Sequence, residues 1–262
     1  MANLRIIYQN VADLSTTVIT PSTSASSGTS GTNLTKDTKS LVWRSMSSAS
    51  SASIKANILV TFPTSSNTLV GGVILPFTNL SPNATIRIRT FSGSVRPQLG
   101  GTIDVPVIYT SGTTLVSDTG NILACPYLGL GTWDWGAIPT GANSYSYGGG
   151  TYARVWLPET VGCTSLVIEI IDNRSSYTSP AMYVEVSRLV IGTYWSPKFN
   201  TNYGLSTTIK DLSTHNRTES GDLLTNRGVR FNSMNFDLNW LVASDRSEIT
   251  KIVKGNIIIY II

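Results

Sequence analysis

The feature that most constrains this 262-residue chain is a two-residue period: apolar side chains return at every second position in one segment after another. The clearest run is Ile54, Ala56, Ile58, Val60 and Phe62, with Lys55, Asn57 and Thr61 between them. In an extended strand that spacing puts one face in a core and the other in water. The same alternation appears at Ile86 and Ile88 against Arg87 and Arg89, at Met182, Val184 and Val186, and at Met234, Phe236, Leu238 and Trp240. Val70–Leu75, Val105–Tyr109, Tyr152–Leu157 and Leu166–Ile171 supply further strands, the last so continuously apolar that a central position is predicted. Antiparallel sheets of roughly ten strands follow.

One helix is predicted, over 245–254: Asp245 and Glu248 form a capping-box pattern, Ile249, Ile252 and Val253 share a face, and Gly255 stands where a C-cap glycine belongs. The closing Ile257–Ile262 run reads as a strand that needs a partner, and its abrupt end fits a natural truncation or a longer native product. Residues 15–35 carry no charge and are mostly Ser, Thr, Gly and Ala, the composition of a flexible arm. Leu223–Leu224 and Val229–Phe231, separated by Asn226-Arg227-Gly228, read as a hairpin. The expected organisation is therefore an N-terminal strand and arm over 1–32, a sandwich over 33–197, and a smaller β-rich module with the helix over 198–262.

Composition narrows the function. Charged residues are 13% of the chain and the net charge is +4, with no block of Lys or Arg. Nucleic acid is not an expected partner. No apolar run reaches the length of a membrane span, and the N-terminus lacks the apolar core of a secretory signal. Neither membrane insertion nor general export is expected.

Catalytic chemistry finds little support. His215, the one histidine, sits in a polar stretch, Asp211–Arg217, without a GxSxG nucleophile motif anywhere. One His and two distant Cys do not build a zinc site, and there is no DxDxD cluster for calcium. No cofactor is expected. Cys125 and Cys163 read as buried free thiols, with a single disulfide as the alternative. Asp134, Glu159, Glu169, Asp172 and Glu185 offer carboxylates for a glycosidase, but no spacing favours a pair, and Glu169 and Glu185 read as solvent-face residues. Gly71-Gly72, Gly100-Gly101 and Gly148–Gly150 lack the Lys-Ser/Thr of a phosphate loop and read as turns or close backbone approaches.

Aromatic residues carry the one candidate site. Trp133, Trp135, Tyr145 and Tyr147 lie in a stretch from Cys125 to Gly150 rich in Gly, Pro and Asn. Rings in such a loop stack on a sugar, dock a protein partner, or fold back as a lid over the open end of the sandwich. Trp43, Trp156, Trp195 and Trp240 lie in or beside apolar strand patterns and are expected in the core.

Two stretches resemble the galactose-binding-like, or discoidin-type, jelly roll. One is Asn33-Leu34-Thr35-Lys36-Asp37 leading to Val42-Trp43-Arg44-Ser45; the other is Val73–Ser81 followed by Ala84-Thr85-Ile86-Arg87-Ile88. Tyr152–Trp156 and Val186–Gly192 are similar to the closing strands of that family. The whole layout also resembles structural proteins of the tail tip or baseplate of tailed bacteriophages, of distal-tail type. That likeness rests on Arg5-Ile6-Ile7-Tyr8, the Asn-Leu…Trp-Arg-Ser opening, Tyr147–Trp156 and Tyr194-Trp195-Ser196-Pro197. The resemblances imply a mainly β protein: a jelly-roll sandwich plus a smaller β-rich module with one short C-terminal helix. They imply a non-enzymatic virion component, assembled in the host cytoplasm into a homo-oligomeric ring with other phage tail proteins. The alternative expectation is a carbohydrate-recognition module contacting a host surface glycan.

Overall fold

The computed structural model describes residues 4–63, 67–81, 83–100, 107–124, 151–176, 180–200, 206–217, 219–226, 228, 230–235, 237–254 and 260–261. In chain order the strands are β1 (Ile6–Ile7), β2 (Val18–Pro21), β3 (Trp43–Arg44), β4 (Ile54–Thr61), β5 (Thr68–Thr78), β6 (Thr85–Ser92), β7 (Thr114–Asp118), β8 (Ile122–Leu123) and β9 (Thr151–Cys163). There follow β10 (Ser165–Asp172), β11 (Glu185–Val186), β12 (Val190–Gly192), β13 (Ser206–Asp211), β14 (Thr214–Arg217), β15 (Leu223–Asn226), β16 (Arg230–Asn235), helix α1 (Ala243–Lys254) and β17 (Tyr260–Ile261). The chain divides into two compact units, Ile7–Tyr194 and Met1–Ile6 with Trp195–Ile262.

The larger unit is an antiparallel jelly-roll sandwich. One sheet runs β2-β4-β10-β6-β7, with β8 paired to the start of β6; in the other, β5 pairs with β9, β12 and β11, and β11 pairs with β3. β10 sits between β4 and β6, with Ile168 opposite both Ile58 and Ile88, so the predicted central strand is central. Burial on both faces explains its composition: Leu166, Ile168 and Ile170 fill the main core and Val167 is covered on the other side.

The two-residue period is what closes the sandwich. Ile54, Ala56, Ile58 and Val60 of β4, Ile86 and Ile88 of β6, and Leu166, Ile168 and Ile170 of β10 pack into one core with Val73 and Leu75 of β5 and Ala153, Val155 and Leu157 of β9. Burying each of the Val, Leu and Ile side chains among these stabilises the fold by about 1.5–3 kcal/mol. Trp43 is fully buried in this core, and its Nε1 donates to the Thr23 carbonyl at 2.9 Å. The indole N–H is thereby satisfied without water. On the opposite side of the first sheet, Leu59, Phe91, Val107 and Val167 form a second small cluster.

Several expectations are corrected. Residues 15–35 do not form a free arm: β2 pairs with β4 from Val18↔Thr61 to Pro21↔Ile58, and Leu34 is fully buried. Uncharged Ser/Thr-rich sequence suits an edge strand followed by tight turns as well as it suits a tether. The Met182–Ser187 alternation yields only the two-residue β11. Of Val105–Tyr109, the described part contains one bridge, Ile108 to Gln98.

In the smaller unit β13 pairs with β16 and β14 with β15. The predicted pairing of Leu223–Leu224 with Val229–Phe231 is not formed. Instead the chain makes one long hairpin with its turn near Gly221, whose φ of +89° suits only glycine. Register slips by one residue between the Asp211↔Arg230 and Thr214↔Asn226 pairs. Gly228 sits at that slip, where a Cβ would lie 2.2 Å from the Leu212 carbonyl carbon. The Asn-Arg-Gly signal therefore marks a bulge, not a turn.

Helix α1 begins at Ala243, two residues before the predicted start, which places Asp245 in its first turn. The Asp245 carboxylate accepts from the Lys198 backbone N–H at 3.1 Å. Ile252 is buried but Val253 is 72% exposed, so the three-residue apolar face is not shared. The strand predicted through Trp240 ends at Asn235, and Trp240 is 74% exposed, outside any core. β17 of the closing apolar run pairs with β1. Among the described residues no helix is long and apolar enough to cross a membrane.

Candidate functional site

Trp133, Trp135, Tyr145 and Tyr147, together with Cys125 and Gly148–Gly150, lie outside the described residues. The structure fixes where their segment leaves and rejoins the sandwich. Ala124 N–H donates to the Ala84 carbonyl at 2.8 Å, and the Ala124 carbonyl accepts from Arg154 N–H at 3.2 Å. Ala124 thus links Ala84, the residue before β6 in one sheet, to β9 in the other. The insertion that carries the four aromatics starts and finishes at neighbouring points.

β9 presents an outward row beside those roots. Because Ala153, Val155 and Leu157 fill the core, strand geometry turns Tyr152, Arg154 and Trp156 to the opposite face. Tyr152 is half-exposed and meets Phe77 with ring centroids 5.0 Å apart. Burial of its other side pushes the Tyr152 phenol above its ordinary value. Lys39 Nζ stands 4.4 Å from the centroid of the Phe77 ring, a cation–π contact. Phe77 itself has φ +53°, a left-handed backbone that side chains rarely adopt.

Four residues further along β9, Trp156 meets Tyr194 edge-on, with centroids 5.0 Å apart and planes at 70°. Its ring lies on the backbone of Gly72, and Tyr194 lies beside Gly71. The Gly71-Gly72 pair is thus the close backbone approach that the sequence suggested. Trp156 is consequently a partly exposed residue of the outer face, whereas Trp43 and Trp195 are buried as expected.

A second polar group lies on the outer face of the first sheet. Arg87 donates to Asp118 through Nε at 2.8 Å and Nη2 at 2.5 Å, and this holds the Asp118 carboxyl down at about 2. Tyr109 donates to Glu169 at 2.7 Å; burial first, then that bond, pushes the phenol well above its ordinary value. Arg89 stands 4.8 Å from the Tyr109 ring centroid and 3.4 Å from Glu169. Glu169 is therefore on the outer face but held in an ion pair, as is Glu185, which accepts from Arg44 at 2.7 Å.

The remaining candidates for acid–base or nucleophilic work are tied into the scaffold. Asp172 is fully buried and accepts from Ser81 and from Arg174 Nε at 2.8 Å, while Arg174 also donates to the carbonyls of Ala181 and Asn79. Such a network clamps two loops. His215 is exposed on β14 with its Nδ1 3.1 Å from Thr225 Oγ1. Cys163 is buried, which pushes its thiol up to about 12. Among the described residues no three His, Cys, Asp or Glu side chains are grouped to hold a metal.

The class defined by this geometry is a jelly-roll β-sandwich with an aromatic-rich insertion and an aromatic and cationic strand face at its roots. Neither a protein-family model nor a curated protein matches the chain. Solved structures similar to it include a chitosan-binding module 1 derived from a chitosanase/glucanase of Paenibacillus sp. IK-5, at 11% identity and TM-score 0.40, covering 71% of this chain and 100% of that one. Another is the family 32 carbohydrate-binding module of C. perfringens NanJ in complex with galactose, at 10% identity and TM-score 0.39, covering 72% of this chain and 100% of that one. A third is a Ruminococcus gnavus GH29 fucosidase in complex with fucose, at 10% identity and TM-score 0.40, covering 72% of this chain and 27% of that one.

Proposed function

We propose that this chain is a non-catalytic carbohydrate-recognition module that contacts a glycan surface. The observation that carries the reading is the joining of the insertion's roots at Ala124 and Arg154, beside the exposed Tyr152–Phe77 ring pair. A rigid sandwich that holds both ends of the aromatic-bearing segment gives stacking side chains a fixed base. Trp133, Trp135, Tyr145 and Tyr147 are the residues assigned to stacking. The test is glycan-array binding by the intact protein and by Trp133→Ala/Trp135→Ala. Binding lost with an unchanged circular dichroism spectrum supports the reading; no glycan bound by the intact protein defeats it.

A second reading, a structural component of a bacteriophage tail tip working in a homo-oligomeric ring with other tail proteins, has its own observation. The β13–β16 hairpin exposes four successive residues, Thr214–Arg217, and so offers both faces to a partner. A two-stranded ribbon is marginal in water on its own. Immunogold labelling of purified particles tests it: label at the tail end supports a virion location, and unlabelled particles remove it.

A further inference from the structure

We infer that the outer row of β9, Tyr152–Arg154–Trp156, is an extended subsite for an anionic polysaccharide chain, a deepening that rests on the carbohydrate-binding reading. The three side chains follow one another at i, i+2 and i+4 on the face that the core residues Ala153, Val155 and Leu157 leave outward. At the ordinary strand rise the Cα atoms that carry the two rings are about 13 Å apart. That span is too long for a single sugar ring to touch both, and it runs along one face of the strand, a footprint that several successive sugars would cover.

Charge selects the class of chain. Arg44, Arg87, Arg89, Arg174 and Arg188 each hold a carboxylate in an ion pair, whereas Arg154, between the two rings, has none among the described residues. Lys39 adds a second cation at the Phe77–Tyr152 end. On the facing elements, Asp37 is paired with Arg188, and Glu159, three residues beyond Trp156, is the described acid on β9 itself. The centre of the row is therefore cationic and flanked by rings, the arrangement that receives a carboxylate on one sugar while its neighbours stack. Two cations and a net charge of +4 fall short of the basic track that a nucleic-acid backbone requires.

Affinity gel electrophoresis of the full chain tests this with alginate, a polyuronate, against neutral β-1,4-galactan and single-stranded oligo(dT). The expected result is retardation by alginate, relieved by salt and weakened about tenfold in Arg154→Gln, the loss of one charge-assisted contact. Trp156→Phe, which keeps a ring on Gly72, should weaken it less than Trp156→Ala, with unfolding curves checking that each variant folds. Equal retardation by galactan and alginate, unmoved by Arg154→Gln, overturns the anionic subsite and leaves the carbohydrate reading standing. Binding abolished by Trp133→Ala/Trp135→Ala but untouched by Arg154→Gln also overturns it. Stronger retardation by oligo(dT) overturns the glycan class, and retardation by none of the three overturns the anionic subsite, the carbohydrate reading then falling only if the glycan array is also blank.

Discussion

Gly72 and Trp156 are opposite one another in the β5–β9 ladder, and the indole lies so close that a Cβ on residue 72 would stand 2.4 Å from its Cε3 and Cζ3. No side chain fits between strand and ring. Gly72→Ala should therefore lift Trp156 off the sheet and disturb its edge contact with Tyr194. Overpacking of this kind costs about 1–3 kcal/mol. The expected outcome is a lower thermal midpoint together with a red shift of tryptophan emission, read against wild type at the same pH.

The clamp at Asp172 gives a larger effect. Asp172 and Arg174 are both buried, and the guanidinium also closes the loops at Asn79 and Ala181. Arg174→Met leaves a carboxylate without its cation in the interior, a change that destabilises by about 3–5 kcal/mol. Urea unfolding should show that loss, and Asp172→Asn combined with Arg174→Met should recover part of it, since the stranded charge is then gone.

The sandwich was largely legible before the structure, and the reasons are local. Ile54–Phe62 and Leu166–Ile171 announce their strands because their inner faces meet the same core along their whole length, although Leu59 and Val167 of the outer faces are covered by a second small cluster. Trp240 shows the limit: its alternation with Leu238 and Phe236 is as regular, yet the strand stops at Asn235 and the ring is exposed. Periodicity says which side chains share a face, not whether another layer covers that face. The candidate aromatics stand out in composition, between 125 and 150, and lie outside the described residues. The anchoring of their segment was not legible, because Ala124 and Arg154 meet through backbone groups that carry no sequence signal. Nor does sequence reveal that Arg154 has no acid beside it among the described residues while Arg87 holds Asp118, a pairing set by the β6–β7 register.

That pairing sets an acid limb in the stability profile. The hydrogen bonds from Arg87, opposed by burial and aided by the Gly120 N–H, bring Asp118 from the ordinary carboxylate value to about 2 in the folded state. Because the folded value is the lower one, the unfolded chain takes up the proton first as pH falls. The stabilisation is complete above about pH 4–5 and is lost progressively as pH falls towards 2. Asp118→Asn should flatten this part of the curve of unfolding free energy against pH, and an unchanged slope would assign the acid limb to other carboxylates.

Cys163 closes β9 with its side chain in the core, and burial pushes the thiol up to about 12. The nucleophile in alkylation is the thiolate, so at pH 8 the native protein offers almost none at this position, and the packed sheets exclude reagent as well. Iodoacetamide treatment followed by peptide mass spectrometry should leave Cys163 unmodified in the native state and modify it fully in guanidinium. The sign at high pH follows from the same displacement: the unfolded thiol ionises first, near its ordinary value, so stability falls as pH rises from about 8 towards 12. Cys163→Ala removes that alkaline slope at the cost of a small cavity, and peptide mapping separates it from any labelling of Cys125. Rapid native labelling at Cys163 would show that the β9–β10 end of the sandwich opens far more readily than its packing implies.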